Sequence, residues 1–229
     1  MLPPPPALPE NEAQRLQALR RRSILDTPAE ERFDRLTRLA KQMFGTPIAL
    51  VSLVDADRQW FKSPQGLDAC ETGRDISFCG HAILDKDIFE VIDARLDPRF
   101  ADNPLVVGPP NIRFYAGAPL STPEGYRIGT LCVIADRPRQ LTAEERQALR
   151  DLADCVEEEI NQITLAQQGR ALKQAQVLGE VLRTPQGDSY LKPMPSPTSR
   201  GTMPPVPSMR PTRRRGWSFT TSRRCSVRP

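Results

Sequence analysis

The chain of 229 residues holds a single histidine, His81, and five cysteines without one Cys-X-X-Cys pair. With one imidazole, any Ser-His or Cys-His catalysis, haem ligation or pH switch has to run through His81. Cys70, Cys79, Cys132, Cys155 and Cys225 are odd in number and not closely paired. That argues against a disulfide framework and a structural zinc site, and makes reduced thiols the default. No run of about eighteen apolar residues occurs, so no membrane span is expected. Met1-Leu2 followed by Pro3 to Pro6 has neither the basic start nor the apolar stretch of a secretory signal. The expected location is the cytoplasm.

The net charge of +4 conceals a split. The last 47 residues carry ten Lys or Arg and one acid, which leaves 22 basic against 27 acidic groups in residues 1–182. The basic balance therefore belongs to the tail, and a nucleic-acid reading would rest on Arg213-Arg214-Arg215-Gly216-Trp217 and Arg223-Arg224 alone. No specific nucleic-acid partner is expected. The length suits one domain of about 130–150 residues, which buries roughly two thirds of its unfolded surface.

Residues 1–9 are Pro-rich and expected to be disordered. A short leading helix is predicted over residues 11–25 from Leu16, Leu19 and Ile24. Thr27-Pro28-Ala29-Glu30 has the form of a capping box, and Phe33, Leu36, Leu39, Ala40, Met43 and Phe44 then recur at helical spacing up to Gly45. Pro47 to Val54, a turn at Asp55-Ala56-Asp57 and Gln59 to Lys62 predict a hairpin. Ser77 can cap a short helix through Leu84, and Ile88 to Ile92 predict a strand. The long connection from Asp97 to Pro110 is of the kind that often carries function. Strands from Arg113 to Leu120 and Arg127 to Ala135 form a second hairpin. Thr142-Ala143-Glu144-Glu145 opens a helix predicted to reach about Leu182. Its apolar positions recur over eleven residues, which suits a weakly paired helix or a terminal helix packed on its own domain. Residues 183–229 have little to bury and are expected to be disordered.

Several strings resemble bacterial GAF domains. They are Phe33-Asp34-Arg35-Leu36, Pro47 through Asp55, Arg58-Gln59-Trp60-Phe61-Lys62-Ser63, Phe78-Cys79-Gly80-His81-Ala82-Ile83, Asp97 through Pro104, Ile112 through Leu120, and Ile128 through Ile134. The resemblance implies an α+β fold with a GAF/PAS-like central antiparallel β-sheet flanked by N- and C-terminal helices. On this reading residues 10–165 are the domain with its leading helix and 166–182 a helical extension. It further implies a ligand pocket under a roof between the two hairpins, terminal helices that pair into a homodimer, and a downstream kinase or cyclase. No GGDEF string and no kinase phospho-acceptor region is present. The Arg, Pro and Ser bias of the tail matches an out-of-frame reading of GC-rich DNA, so a truncated remnant of a longer sensor is one expectation.

Candidate ligand-binding residues are Trp60, Phe61, Phe78, Cys79, His81, Phe100, Asn103, Arg113, Phe114 and Tyr115, the aromatics lining a pocket and Asn103 or Arg113 adding a polar contact. Aromatics in strands equally well fill a core. No catalytic residue, metal or cofactor is expected, and the small-molecule ligand is not identified. Gly80 separates Cys79 from His81, unlike the directly adjacent pair that carries bilins in similar domains. The Asn-Lys-Phe-Asp-Glu signature of cyclic-nucleotide binders is absent. Two alternatives stay open. One is a thiol-based enzyme resembling free methionine sulfoxide reductase, with Cys79 at a helix start; Cys70 is near it in sequence, Cys132 lies within an apolar strand, and neither shows that family's arrangement of a resolving partner. The other is an interaction module with a filled pocket.

Overall fold

The computed structural model describes residues 4–183. In chain order these form α1 (Glu12–Arg21), α2 (Glu31–Phe44), β1 (Ile48–Val54), β2 (Arg58–Gln65), β3 (Glu71–Gly73), one 3-10 turn (Arg74–Ile76), α3 (Phe78–Ala82), β4 (Phe89–Val91), α4 (Pro104–Val107), β5 (Phe114–Ser121), β6 (Arg127–Ala135) and α5 (Ala143–Arg183). The strands make one six-stranded antiparallel sheet in the order β3-β2-β1-β6-β5-β4. This is the α+β architecture that the sequence predicts. The expected tail over 184–229 lies outside the described residues.

Both faces of the sheet are covered. On one, Ala49, Val51, Leu53, Phe114, Ala116 and Ala118 meet Leu19 of α1, Phe33 and Leu36 of α2, and Leu149, Val156 and Ile160 of α5. On the other, Ile48, Leu50, Val54, Tyr115, Cys132 and Ile134 meet Phe78, Cys79, Phe100 and Val106 of a roof built from α3, α4 and their connections. Successive strand residues point to opposite faces, so continuous apolar runs are what a sheet buried on both sides requires. The first, larger cluster ends at Ile160, with Ile163 partly buried against it; α5 continues to Arg183.

Three caps form as predicted. Gly45 takes the left-handed conformation after α2 at φ 57°. Ser77 Oγ accepts the Gly80 amide at 2.9 Å. Thr142 and Glu145 close a reciprocal capping box at 3.0 and 3.2 Å. The Thr27–Glu30 box does not form, and α2 begins only at Glu31 with no side-chain cap. The reason is Lys62: its ammonium donates to Thr27 Oγ1 at 2.7 Å, to the Pro28 carbonyl at 2.8 Å and to Glu30 Oε1 at 2.6 Å. A buried cation claims the acceptors that a helix cap would have used. The Pro-rich start is not wholly outside the fold either, because Pro6 is buried over Gly80, where a Cβ would come within 2.7 Å of its ring.

α1 is tied to the sheet by charge. Arg15 is 1 % exposed, donates to the Val54 carbonyl at 2.7 Å and grips Glu12 at 2.7 and 2.8 Å. Arg74 reaches the same carboxylate at 2.5 Å and the Asp55 carbonyl at 2.9 Å. Burial alone would raise the Glu12 carboxyl, but hydrogen bonds and charge from Arg15 and Arg74 outweigh it and bring it to about 2. Removing the carboxylate leaves two buried guanidiniums without it, so Glu12→Ala is expected to cost about 2–3 kcal/mol in chemical denaturation at pH 7. Because the folded-state value lies below the unfolded one, this contribution is complete above about pH 4.5 and fades as pH falls toward 2. Denaturation of wild type and variant across pH 2–6 checks it, the two curves converging at the acid end.

Candidate functional site

The site lies between the sheet and its roof, and strand alternation decides which residues reach it. Phe61 and Tyr115 point into it, whereas their neighbours Trp60 and Phe114 point to the opposite face and pack under the helices. A cavity of about 170 Å³, partly open to solvent, has Leu50, Phe61, Tyr115 and Ile134 as its floor. Phe78 and Cys79 of α3, Leu67 and Ala69 before β3, and Leu105, Pro109, Pro110 and Ile112 of the roof complete an almost wholly apolar wall. The polar members are Gln59 and Thr72. Gln59 Oε1 accepts the Ser77 hydroxyl that begins α3, while the buried Thr72 Oγ1 has no hydrogen-bond partner.

Of the ten sequence candidates, Phe61, Phe78, Cys79 and Tyr115 line the cavity. Phe100 backs it, stacked on Phe78 with ring centroids 4.0 Å apart. His81 packs edge-on against Phe100 at 4.9 Å, half-buried among Phe89, Phe100 and Arg99, and does not line the cavity. Asn103 caps α4 by accepting the Leu105 amide at 2.9 Å and donates to the Ile76 carbonyl at 3.0 Å. Arg113 donates to the carbonyls of Val106 and Ile112 at 2.8 and 3.0 Å. Both polar candidates therefore brace the roof and do not line the cavity.

Cys79 ties the wall to the sheet beneath it. Its Sγ accepts the Tyr115 hydroxyl at 3.2 Å and the Thr130 hydroxyl at 3.1 Å, and lies 3.9 Å from Cys132 Sγ. Burial alone raises the Cys79 thiol, but hydrogen bonds from Cys132, Thr130 and Tyr115 outweigh it and lower it. The Cys79 sulfur and burial push Cys132 upward, and burial pushes Tyr115 upward, so the two neighbouring thiols titrate as a pair. Cys79, Cys132 and Cys155 are free. Cys70 is not among these free thiols. Among the described residues no group of three or more His, Cys, Asp or Glu could hold a metal ion.

Sequence reasoning did not single out Thr130, Gly117, Gln59 or Thr72. A signal existed in β6, where Thr130 and Cys132 fall two apart on one face of the otherwise apolar run from Ile128 to Ala135. Gly117 has a steric role: a Cβ there would come within 2.2 Å of the Tyr115 hydroxyl. The absent side chain is what seats that hydroxyl against Cys79.

The GAF domain profile matches residues 28–160. A cyclic di-GMP phosphodiesterase of Pseudomonas aeruginosa is 50% identical over 144 residues, covering 63% of this chain and 24% of that protein. The chain thus matches about a quarter of that relative's length. Among solved structures, a domain assigned to a two-component sensor histidine kinase of Sinorhizobium meliloti has a TM-score of 0.51 at 19% identity, covering 62% of this chain and 97% of that one. The free methionine-R-sulfoxide reductase of Neisseria meningitidis in complex with its substrate has a TM-score of 0.50 at 20% identity, covering 72% and 99%. At these identities the structural likeness establishes fold alone. No helix among the described residues is long and apolar enough to cross a membrane.

Gly117→Ala forces the buried Tyr115 ring to move, and is expected to destabilise the domain by about 1–3 kcal/mol in urea titration. For His81, burial first and the Arg99 charge second lower the imidazole to about 4, with Asp97 opposing. The unfolded chain then binds a proton that the folded one refuses, so stability falls as pH drops from about 6.5 toward 4. His81→Phe is expected to flatten that part of the stability profile, read as the difference between the two proteins' melting temperatures at each pH.

Proposed function

The chain belongs to the GAF domain family, and from that premise we propose that it is a non-catalytic regulatory module that binds a small molecule in the cavity under α3. The observation that carries this reading is the cavity itself: an apolar chamber between sheet and roof, with one unpartnered hydroxyl, Thr72 Oγ1, in its wall. Such a chamber recognises a ligand by shape and burial, with few polar contacts to orient it. Its volume of about 170 Å³ is close to the engineered cavities of roughly 150 Å³ that take benzene, and below the roughly 300 Å³ at which drug-sized sites begin. The ligand class is accordingly a neutral, single-ring compound carrying one hydrogen-bonding group. A cyclic dinucleotide or a bilin is too large for this chamber.

The output we propose is control of a signalling enzyme. The Pseudomonas relative is named for cyclic di-GMP hydrolysis but matches here over only 24% of its length, so we assign this segment a regulatory and not a hydrolytic part. α5 is the proposed relay, because it extends about twenty residues beyond the last buried core residue, Ile160, and exposes Leu172. A second copy of the chain pairing through the terminal helices fits that extension.

Native mass spectrometry of protein purified from its own host reads ligand and subunit number together. The expected result is a dimer, each subunit carrying one bound mass in the single-ring range. Ala69→Leu, which fills the chamber from its wall, is expected to lose that mass while keeping its fold. Absence of any bound mass, together with unchanged methyl NMR shifts of Leu50 and Ile134 on adding indole or benzyl alcohol, would argue for a filled interaction module instead.

A further inference from the structure

Two free thiols meet inside this domain without any assigned role. Cys79 Sγ and Cys132 Sγ are 3.9 Å apart, and both residues are buried. They come from different layers: Cys79 from the roof helix α3, and Cys132 from the central strand β6, where it sits opposite Leu50 of β1 and Gly117 of β5. The two differ in access, since Cys79 lines the cavity and Cys132 does not. A small reagent entering the cavity reaches the residue Cys79 before Cys132.

The environment differentiates them chemically as well. Tyr115 and Thr130 both donate hydroxyl hydrogen bonds to Cys79 Sγ, an arrangement that favours the thiolate form of that sulfur. A cavity-wall cysteine whose sulfur accepts two hydroxyl hydrogen bonds, with a second thiol 3.9 Å away, has the layout of an attacking and a resolving cysteine.

We propose that Cys79 and Cys132 are a reversible oxidation site for a hydroperoxide that enters the cavity. The Cys79 thiolate attacks the terminal peroxide oxygen. The S–O bond forms as the O–O bond breaks, sulfur is oxidised by two electrons, and the departing alkoxide or hydroxide takes up a proton to leave as alcohol or water. Cys132 sulfur then attacks the sulfenic sulfur of Cys79. The S–S bond forms, the S–OH bond breaks, and hydroxide leaves with the Cys132 proton as water. A thiol donor such as glutathione or thioredoxin reverses the product by exchange. A disulfide requires the sulfurs to close to about 2.05 Å, which draws α3 toward β6 and reshapes the chamber wall at Phe78. The inference stands on the sulfur geometry and does not need the chamber to bind a ligand.

The test is peptide mapping of the full chain after a short exposure to hydrogen peroxide, with free thiols blocked under denaturing conditions. The expected product is the tryptic peptide 75–86 linked to the peptide 128–139, two hydrogen masses below the reduced pair and restored by dithiothreitol. Cys132→Ser is expected to stop at a Cys79 sulfenic acid that dimedone traps. Cys79→Ser is expected to leave Cys132 at least tenfold slower to oxidise than Cys79 is in the wild type. Wild-type protein in which exposed Cys155 oxidises while peptides 75–86 and 128–139 stay reduced and unlinked overturns the proposal, and that measurement needs no variant to fold.

Discussion

The central constraint on this protein is that its sheet is buried on both faces. A strand covered on both sides must be apolar at nearly every position, and the two-residue period then assigns each side chain to one of two separate environments. Ala49, Val51 and Leu53 serve the helix layer, while Leu50 and Val54 serve the roof layer, within one seven-residue strand. The same rule separates Phe61 from Trp60 and Tyr115 from Phe114. It also brings Thr130 and Cys132 to the roof side, where they meet Cys79. The chamber and the thiol pair are thus consequences of strand register.

Charge ties the layers where apolar packing thins. Glu12 joins Arg15 of the leading helix to Arg74 of the 3-10 turn, and three residues after Arg74 comes Ser77, which caps the helix carrying Cys79. α1 is therefore linked through contiguous polar contacts to the roof of the chamber. On the other face Lys62, with no exposed side-chain surface, binds Thr27, Pro28 and Glu30 and lies 5.3 Å from the Phe33 ring centroid. A buried ammonium costs desolvation and is tolerated when its three donors are met, as the contacts of Lys62 meet them. Here they hold the entry to α2 in place of a helix cap.

Much of the fold was legible because it depends on short-range rules. The period of Phe33, Leu36, Ala40 and Phe44 marks α2, Gly45 its end, and Thr142 with Glu145 the start of α5. The failure at Thr27–Glu30 shows the limit of such rules, since the residue that dismantled the box lies more than thirty positions away. β3 and α4, three and four residues long, escaped the sequence reading because neither shows a period of its own, whereas the equally short β4 lay within the largely apolar run Ile88 to Ile92. The site was half legible. Its aromatic stretches were found, but side alternation within the pairs Trp60–Phe61 and Phe114–Tyr115 was not applied, and Asn103 and Arg113 proved to bind backbone carbonyls of the roof.

The sequence by itself determined the order of elements, most of the helix caps and the family to which residues 28–160 belong. Each of these is encoded in neighbours a few residues apart, where hydrogen-bond geometry and periodicity act locally. Tertiary structure alone decided which face each aromatic serves, how large the chamber is, and that Cys79 and Cys132, 53 positions apart, lie 3.9 Å from each other. Those facts arise from β6 pairing with β1 and β5 in one register while α3 folds across them, and no local pattern specifies the distance between a roof helix and the strand beneath it.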